Sequence, residues 1–289
     1  MPMTLPAAAS ASTAKKCLLN HTGLAGRPGR VFTTATGIHM NKTFRIGQIV
    51  PSSNITMETE VPAMLLARQH IRPEKFTFHS SRMRMKTVEK EELAAMDAES
   101  DRCTLELSDA RVDVLGYACL VAIMSMGKGY HRQSEQRLQQ ITANNQASAP
   151  VITSAGALVD ALKVLNARRI ALVAPYMKPL TQLVVDYIAA EGIEVAEWRA
   201  LEIPDNLAVG RHDPRLLPDI VAQMNLEGVD AVVLSACVQM PSLSVVAQVE
   251  ALTGKPVVTA AIATTYALLK ALELEPIVPG AGALLSGAY

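Results

Sequence analysis

Apolar runs rich in β-branched residues alternate with segments of helical periodicity along most of the chain. Residues 44–50, 112–118, 151–153, 170–174, 231–236 and 257–260 are apolar nearly throughout, as strands covered on both faces are. Between them, residues 58–69, 91–110, 155–166, 180–191, 216–227, 242–252 and 264–272 carry apolar positions at helical spacing. Strands alternating with helices predict an α/β fold of parallel sheets flanked by helices.

The pattern also repeats. Arg45-Ile46 leads into Ile49-Val50-Pro51, and Arg169-Ile170 leads into Val173-Ala174-Pro175. Val112-Asp113 opens a strand ending in Ala118-Cys119, and Val229-Asp230 opens one ending in Ala236-Cys237. Pro150-Val151-Ile152-Thr153 and Pro256-Val257-Val258-Thr259 each precede an alanine-rich helix. Matched landmarks in the same order predict two pseudo-symmetric lobes. The first is expected over 40–156, with the C-terminal 262–289 packing back on it, and the second over 157–261. Parallel sheets bind ligands beyond the carboxyl ends of their strands. Cys119 and Cys237 both sit at such ends, so a twofold relation sets them face to face across the cleft between the lobes.

Composition narrows the function. The chain has 289 residues, 49% of them hydrophobic, enough for a large core. Charges balance at 27 basic and 27 acidic residues, and aromatics are 4%, which argues against a nucleic-acid partner. Apolar runs stay well below the ~20 residues that span a bilayer, so no membrane partner is expected. Residues 1–39 hold no Asp or Glu, and their only charges are Lys15, Lys16, Arg27 and Arg30. This stretch reads as a poorly structured leader or as an early start, with Met40 the true first residue. Without those four basic residues the body has 23 basic and 27 acidic residues, a net of −4. An anionic substrate must then be held by local groups. The cysteines at 17, 103, 119 and 237 form no CxxC pair and no cluster with histidine, so no metal is expected and a reducing cytoplasm fits.

Cys17 and Cys103 read as packing residues, the second within a long amphipathic helix. Cys119 and Cys237 differ because each precedes a turn whose backbone N–H groups can meet a thiolate or an anion. The same element carrying the same residue twice favours chemistry over packing. Pro51-Ser52-Ser53-Asn54 and Pro175-Tyr176-Met177 follow equivalent strands. They are either ordinary turns or matched mouths offering Asn54 and Tyr176 as hydrogen-bond donors. Pro204-Asp205-Asn206 alone reads as a turn. Arg82 and Arg84 either grip a carboxylate or are solvated charges. Lys128, in Gly127-Lys128-Gly129, belongs to a lid hinge or a plain connection. With neither a Walker-type loop nor a GxGxxG after a strand, no nucleotide cofactor is expected.

Paired strand-end cysteines in two such lobes resemble the aspartate/glutamate racemase superfamily, and within it the maleate cis–trans isomerases. The resemblance covers roughly Met40 to Tyr289. It rests on Ile49-Val50-Pro51-Ser52-Ser53-Asn54 with Glu58-Thr59-Glu60, on Tyr117-Ala118-Cys119-Leu120-Val121-Ala122, on Ala174-Pro175-Tyr176, on Asn206, and on Ser235-Ala236-Cys237-Val238-Gln239-Met240. It implies a cofactor-independent isomerase and a homodimer acting on a small dicarboxylate. Cys119 is then the nucleophile and Cys237 the proton donor. Asn54, Tyr176 and Asn206 bind the carboxylates, with backbone N–H groups of Leu120, Val121, Val238 and Gln239. Two-cysteine racemases of amino acids or hydantoins share the scaffold. Arylmalonate decarboxylases share it too, but resemblance to them implies one cysteine rather than two. A two-lobed binder of small anions is the non-enzymatic alternative.

Overall fold

The structure is a computed structural model describing residues 42–85 and 90–289, Lys90 without its side chain. The leader expected over 1–39, with Cys17, lies outside the described residues.

The strands form two four-stranded sheets. In the first, β1 (Thr43–Pro51), β2 (Lys75–Met83), β3 (Val114–Tyr117) and β4 (Val151–Thr153) lie in the order β2-β1-β3-β4. In the second, β5 (Arg169–Ala174), β6 (Glu194–Ala200), β7 (Ala231–Ser235) and β8 (Val257–Thr259) lie in the order β6-β5-β7-β8. All pairings in both are parallel. Ten α-helices, α1 (Met57–Arg68), α2 (Lys90–Asp109), α3 (Leu120–Ser125), α4 (Tyr130–Asn144), α5 (Ser154–Val164), α6 (Lys178–Ala190), α7 (Asn206–Gly210), α8 (Leu217–Ala222), α9 (Val246–Thr253) and α10 (Ala260–Ala271), complete this α/β fold among the described residues.

Each landmark of the sequence repeat has a job in the ladder. The Asp113 carboxylate accepts the Arg45 N–H at 2.7 Å, and the Asp113 N–H donates to Arg45 O. Asp230 does the same with Arg169, at 2.8 and 2.7 Å. Leu115 N–H donates to Pro150 O and Val232 N–H to Pro256 O, each at 2.9 Å. Thr153 and Thr259 cap α5 and α10, accepting from Gly156 N–H and Ile262 N–H at 3.0 Å. Ala118 N–H donates to Ile49 O, and Ala236 N–H to Val173 O. The next residue in each case, Cys119 or Cys237, is therefore the first to leave its ladder.

Several elements depart from the sequence reading. β2 and β6 were not expected as strands, and each is one of the two outer strands of its sheet. Their half-exposed faces carry charged residues, so they lack the continuous apolar run of the inner strands. The helix expected over 216–227 stops at Ala222, and Asn225 Oδ1 takes the Glu227 N–H in a local turn. The last helix starts at Ala260 rather than 264, because the Thr259 cap fixes its beginning. It packs against α1, α5 and β3, alongside the first sheet.

Candidate active site

One pocket collects residues from both sheets: Pro51, Asn54, Met85, Cys119, Leu120, Val121, Tyr176, Asn206, Cys237, Val238 and Gln239. Its volume is about 300 Å³ including the open mouth, at the small end for ligand pockets. Every site residue expected from sequence is among them. Pro51 and Met85 were missed. Ser52 ties Met85 to the loop after β1, its hydroxyl accepting from Met85 N–H at 3.0 Å. The isolated Met85 gives no signal in the sequence that would have found it.

Cys119 stands between the end of β3 and the start of α3, with φ 112° and ψ 74°. A left-handed backbone at a residue with a Cβ is strained and marks a position held by its surroundings. α3 then runs buried from Leu120 through Met124, and its Ala122 N–H acts on the sulfur. Burial is the main reason its thiol is pushed up to about 12, with the Ala122 N–H opposing and the neighbouring Cys237 and Asp97 adding. Asp97 is a buried carboxylate on α2 that sequence reading passed over. It accepts hydrogen bonds from Tyr117 Oη at 2.9 Å, Tyr130 Oη at 2.7 Å and Arg137 Nη2 at 3.0 Å. Tyr117 precedes Cys119 by two residues and Tyr130 follows α3, so one carboxylate anchors both flanks of the cysteine element.

Cys237 opens a tight turn instead of a helix. Gln239 N–H donates to its Sγ at 3.4 Å. Burial raises this thiol as well, but Tyr176 and the N–H groups of Gln239 and Met240 oppose the rise. The Tyr176 phenol donates to Ala236 O at 3.2 Å, and burial together with the two cysteines raises it well above its ordinary value. It is a neutral donor at working pH.

Asn54 is buried, and its Oδ1 accepts the Met57 N–H at 3.1 Å, capping α1. Its Nδ2 makes no hydrogen bond among the described residues. Asn206 starts α7 and donates from Nδ2 to Ser53 Oγ at 2.7 Å. Asp205 precedes it as the helix cap, accepting from Leu207 N–H at 3.0 Å.

The charged candidates lie elsewhere. Arg82 Nη1 donates to Ser52 O and Asn54 O at 3.0 and 3.1 Å, and its other nitrogen pairs with Glu58. It shapes the Asn54 loop from behind instead of gripping a ligand. Arg84 is exposed, and Lys128 lines a separate cleft with Met124 and Tyr187. Cys103 is fully buried in α2, away from the pocket. Among the described residues, no three His, Cys, Asp or Glu side chains cluster as metal ligands, and no helix is long and apolar enough to cross a membrane.

The chain is similar to several known proteins over the region that holds this pocket. The sequence profile of the arylmalonate decarboxylase family matches residues 46–285. A maleate isomerase from Pseudomonas putida is 81% identical over 250 residues, which is 86% of this chain and the whole of that protein. A solved structure of a Pseudomonas putida maleate isomerase variant with maleate superposes with a TM-score of 0.85 and 68% identity, covering 86% of this chain and 99% of that one. A maleate cis–trans isomerase variant from Nocardia farcinica, solved with a covalently bound succinylcysteine intermediate, gives a TM-score of 0.82 and 47% identity, covering 86% of this chain and all of that one.

Proposed function

The chain belongs to the arylmalonate decarboxylase family, in its maleate isomerase branch, and on that premise we propose that it converts maleate to fumarate without a cofactor, using Cys119 and Cys237. The observation that carries the reading is the meeting of two strand-end thiols, one from each sheet, in a small pocket lined by neutral donors.

The C=C bond of maleate must become single before its carboxylates can change sides. A thiolate adds in conjugate fashion because the neighbouring carboxylate takes up the electron pair as an enediolate. In the resting site Cys119 is a thiol, since burial holds it up to about 12. Burial raises the Cys237 thiol too, with three donors opposing the rise, so it also rests as a thiol. As the Cys119 sulfur bonds to one alkene carbon, its proton passes to the Cys237 sulfur while the Cys237 proton passes to the adjacent carbon. The product is a succinyl thioether on Cys119, with Cys237 again a neutral thiol. Rotation about the new single bond brings the carboxylates trans. The reverse relay takes a proton from that same carbon to Cys237 and passes the Cys237 proton to the Cys119 sulfur as the C–S bond breaks, so fumarate leaves and both thiols are restored. Nδ2 of Asn54, Nδ2 of Asn206 and the Tyr176 phenol stabilise the charge gathering on the carboxylates, with the N–H groups of Leu120, Val121, Val238 and Gln239. The succinylcysteine in the Nocardia farcinica relative supports the thioether.

Proton NMR of the purified protein with maleate and no added cofactor tests the reading: fumarate should accumulate. Failure there, with α-proton exchange of an amino acid or hydantoin in deuterated water, would reassign the pair to racemisation. We further propose a cytoplasmic homodimer, in keeping with three unpaired cysteines among the described residues and with the family resemblance. Light scattering measures its mass. The lobes are taken as 40–156 with 262–289, and 157–261, supported by the packing of α10 on α1 and β3.

A further inference from the structure

Gln239 lies two residues after Cys237 and is 2% exposed. Its side chain reaches out of its own turn and uses both ends of the amide. Oε1 accepts the Ile55 N–H at 2.9 Å and the Thr56 N–H at 3.4 Å. Nε2 donates to Ser53 O at 3.0 Å and to Asn206 O at 2.9 Å. Two N–H groups face the oxygen and two carbonyls face the nitrogen, so the amide has one orientation and no unused hydrogen-bonding atom. Its backbone joins the same frame: Gln239 O accepts from Thr56 Oγ1 at 2.6 Å, and Gln239 N–H donates to Cys237 Sγ. Room for the amide depends on Gly210, where an added Cβ would stand 2.7 Å from Nε2 and 3.1 Å from Cδ.

The residues so joined come from three places. Ser53, Ile55 and Thr56 flank Asn54 after β1, Asn206 starts α7, and the turn carries Cys237. Two carboxylate-binding amides and the proton-delivering thiol are thus referred to one side chain. We propose that Gln239 is a positioning residue whose side-chain amide locks the Cys237 turn, the Asn54 loop and Asn206 into a single frame before substrate arrives. The proposal rests on the isomerase reading of this site and adds a part to it. In that reading the residue contributes only a backbone N–H. Here its side chain sets the distance between the lobes' reactive groups. The titratable groups facing Cys237 are Cys119 and Tyr176, and Glu60 holds the far end of the turn through the Ser242 and Leu243 N–H groups at 2.7 and 2.8 Å. The side-chain partners of Gln239 are all uncharged.

The test compares the unchanged protein with Gln239→Ala, Gln239→Glu and Gly210→Ala. Each is assayed for maleate turnover and for the pH midpoint of iodoacetamide alkylation at Cys237, read by peptide mass spectrometry. Gln239→Ala is expected to lower kcat/KM on the order of 100-fold, the size of loss that misplacing reactive groups by about an ångström produces. Gly210→Ala, which displaces the amide from a position that does not itself line the pocket, should lower it about 10-fold. In both, the Cys237 midpoint moves to higher pH as the Gln239 N–H donor is misaligned. Gln239→Glu can donate only when its carboxyl is protonated, so its activity relative to the unchanged protein should rise as pH falls. If Gln239→Ala does not fold, Gly210→Ala and Gln239→Glu still decide. The proposal is overturned by full activity in Gly210→Ala, by lost activity with an unmoved Cys237 midpoint, or by a Gln239→Glu ratio flat with pH. Failure of the unchanged protein to convert maleate would sink the isomerase reading instead, and the Cys237 midpoint would still report on the frame.

Discussion

In the first lobe the strand-end thiol begins a buried helix, on a strained backbone, with the Asp97 carboxylate and its two tyrosines behind it. In the second lobe the equivalent thiol begins a tight turn, receives an N–H from Gln239, and has Tyr176 beside it. The ladders that deliver the two are the same down to the aspartate at one end and the alanine at the other. The comparison separates two levels of design. Pseudo-symmetry explains why two thiols meet. What surrounds each one after it leaves the ladder explains how two identical groups can do unlike work.

The sharpest way to break that contrast is to remove one thiol at a time. Cys119→Ala should abolish maleate turnover, a loss of at least about 10⁴-fold, because it removes the thiol proposed to add to the double bond. Residual conversion measured by NMR at a tenth of the normal rate would mean that the nucleophile is elsewhere. Cys237→Ala should cost ~10²–10⁴-fold, the range for a lost proton-transfer group. Mass spectrometry should then find a succinyl adduct on Cys119. Adduct on Cys237 in the Cys119 variant, with none in the reverse case, would exchange the roles.

Smaller effects sharpen the contrast. Tyr176→Phe removes one neutral donor and should lower kcat about 10-fold. Unchanged kcat would remove the phenol from the mechanism. Asp97→Asn tests the carboxylate behind Cys119. The Cys119 thiol is held up by burial first, then by Cys237 and Asp97, so deleting the Asp97 charge should bring it down. Alkylation of Cys119 at a fixed pH near neutrality should therefore speed up while that of Cys237 stays constant; a slower Cys119 would contradict this. Least of all, Cys103→Ala should leave turnover intact and cost about 1 kcal/mol of stability from the lost packing, measured by urea unfolding.

The inner strands were legible in the sequence because they are covered on both faces and read as unbroken apolar runs. The outer strands β4 and β8 were legible for the same reason, whereas β2 and β6 were not, since their part-exposed faces let charged residues such as Lys75, Arg82, Glu194 and Arg199 interrupt the pattern. The repeat was legible because Asp113 and Asp230, or Thr153 and Thr259, do identical work in the two sheets. Asn54, Tyr176 and Asn206 carry only ordinary turn chemistry as single residues, and naming them as ligands came from the family resemblance. Asp97 and the side-chain role of Gln239 left no local mark. Their partners lie 20 to 40 residues away for Asp97 and up to 186 away for Gln239. Such groupings exist only once the chain has folded.

The φ of 112° at Cys119 has a consequence for how this protein can change over time. A glycine there would relax the backbone, where strain of this kind costs roughly 1–3 kcal/mol. Backbone strain alone would favour a glycine there, whereas the proposed chemistry needs the cysteine. Position 119 is thus a point of local frustration, where the energy landscape and the chemistry pull in opposite directions. Stabilising substitutions elsewhere in the chain widen the margin within which that conflict can be sustained.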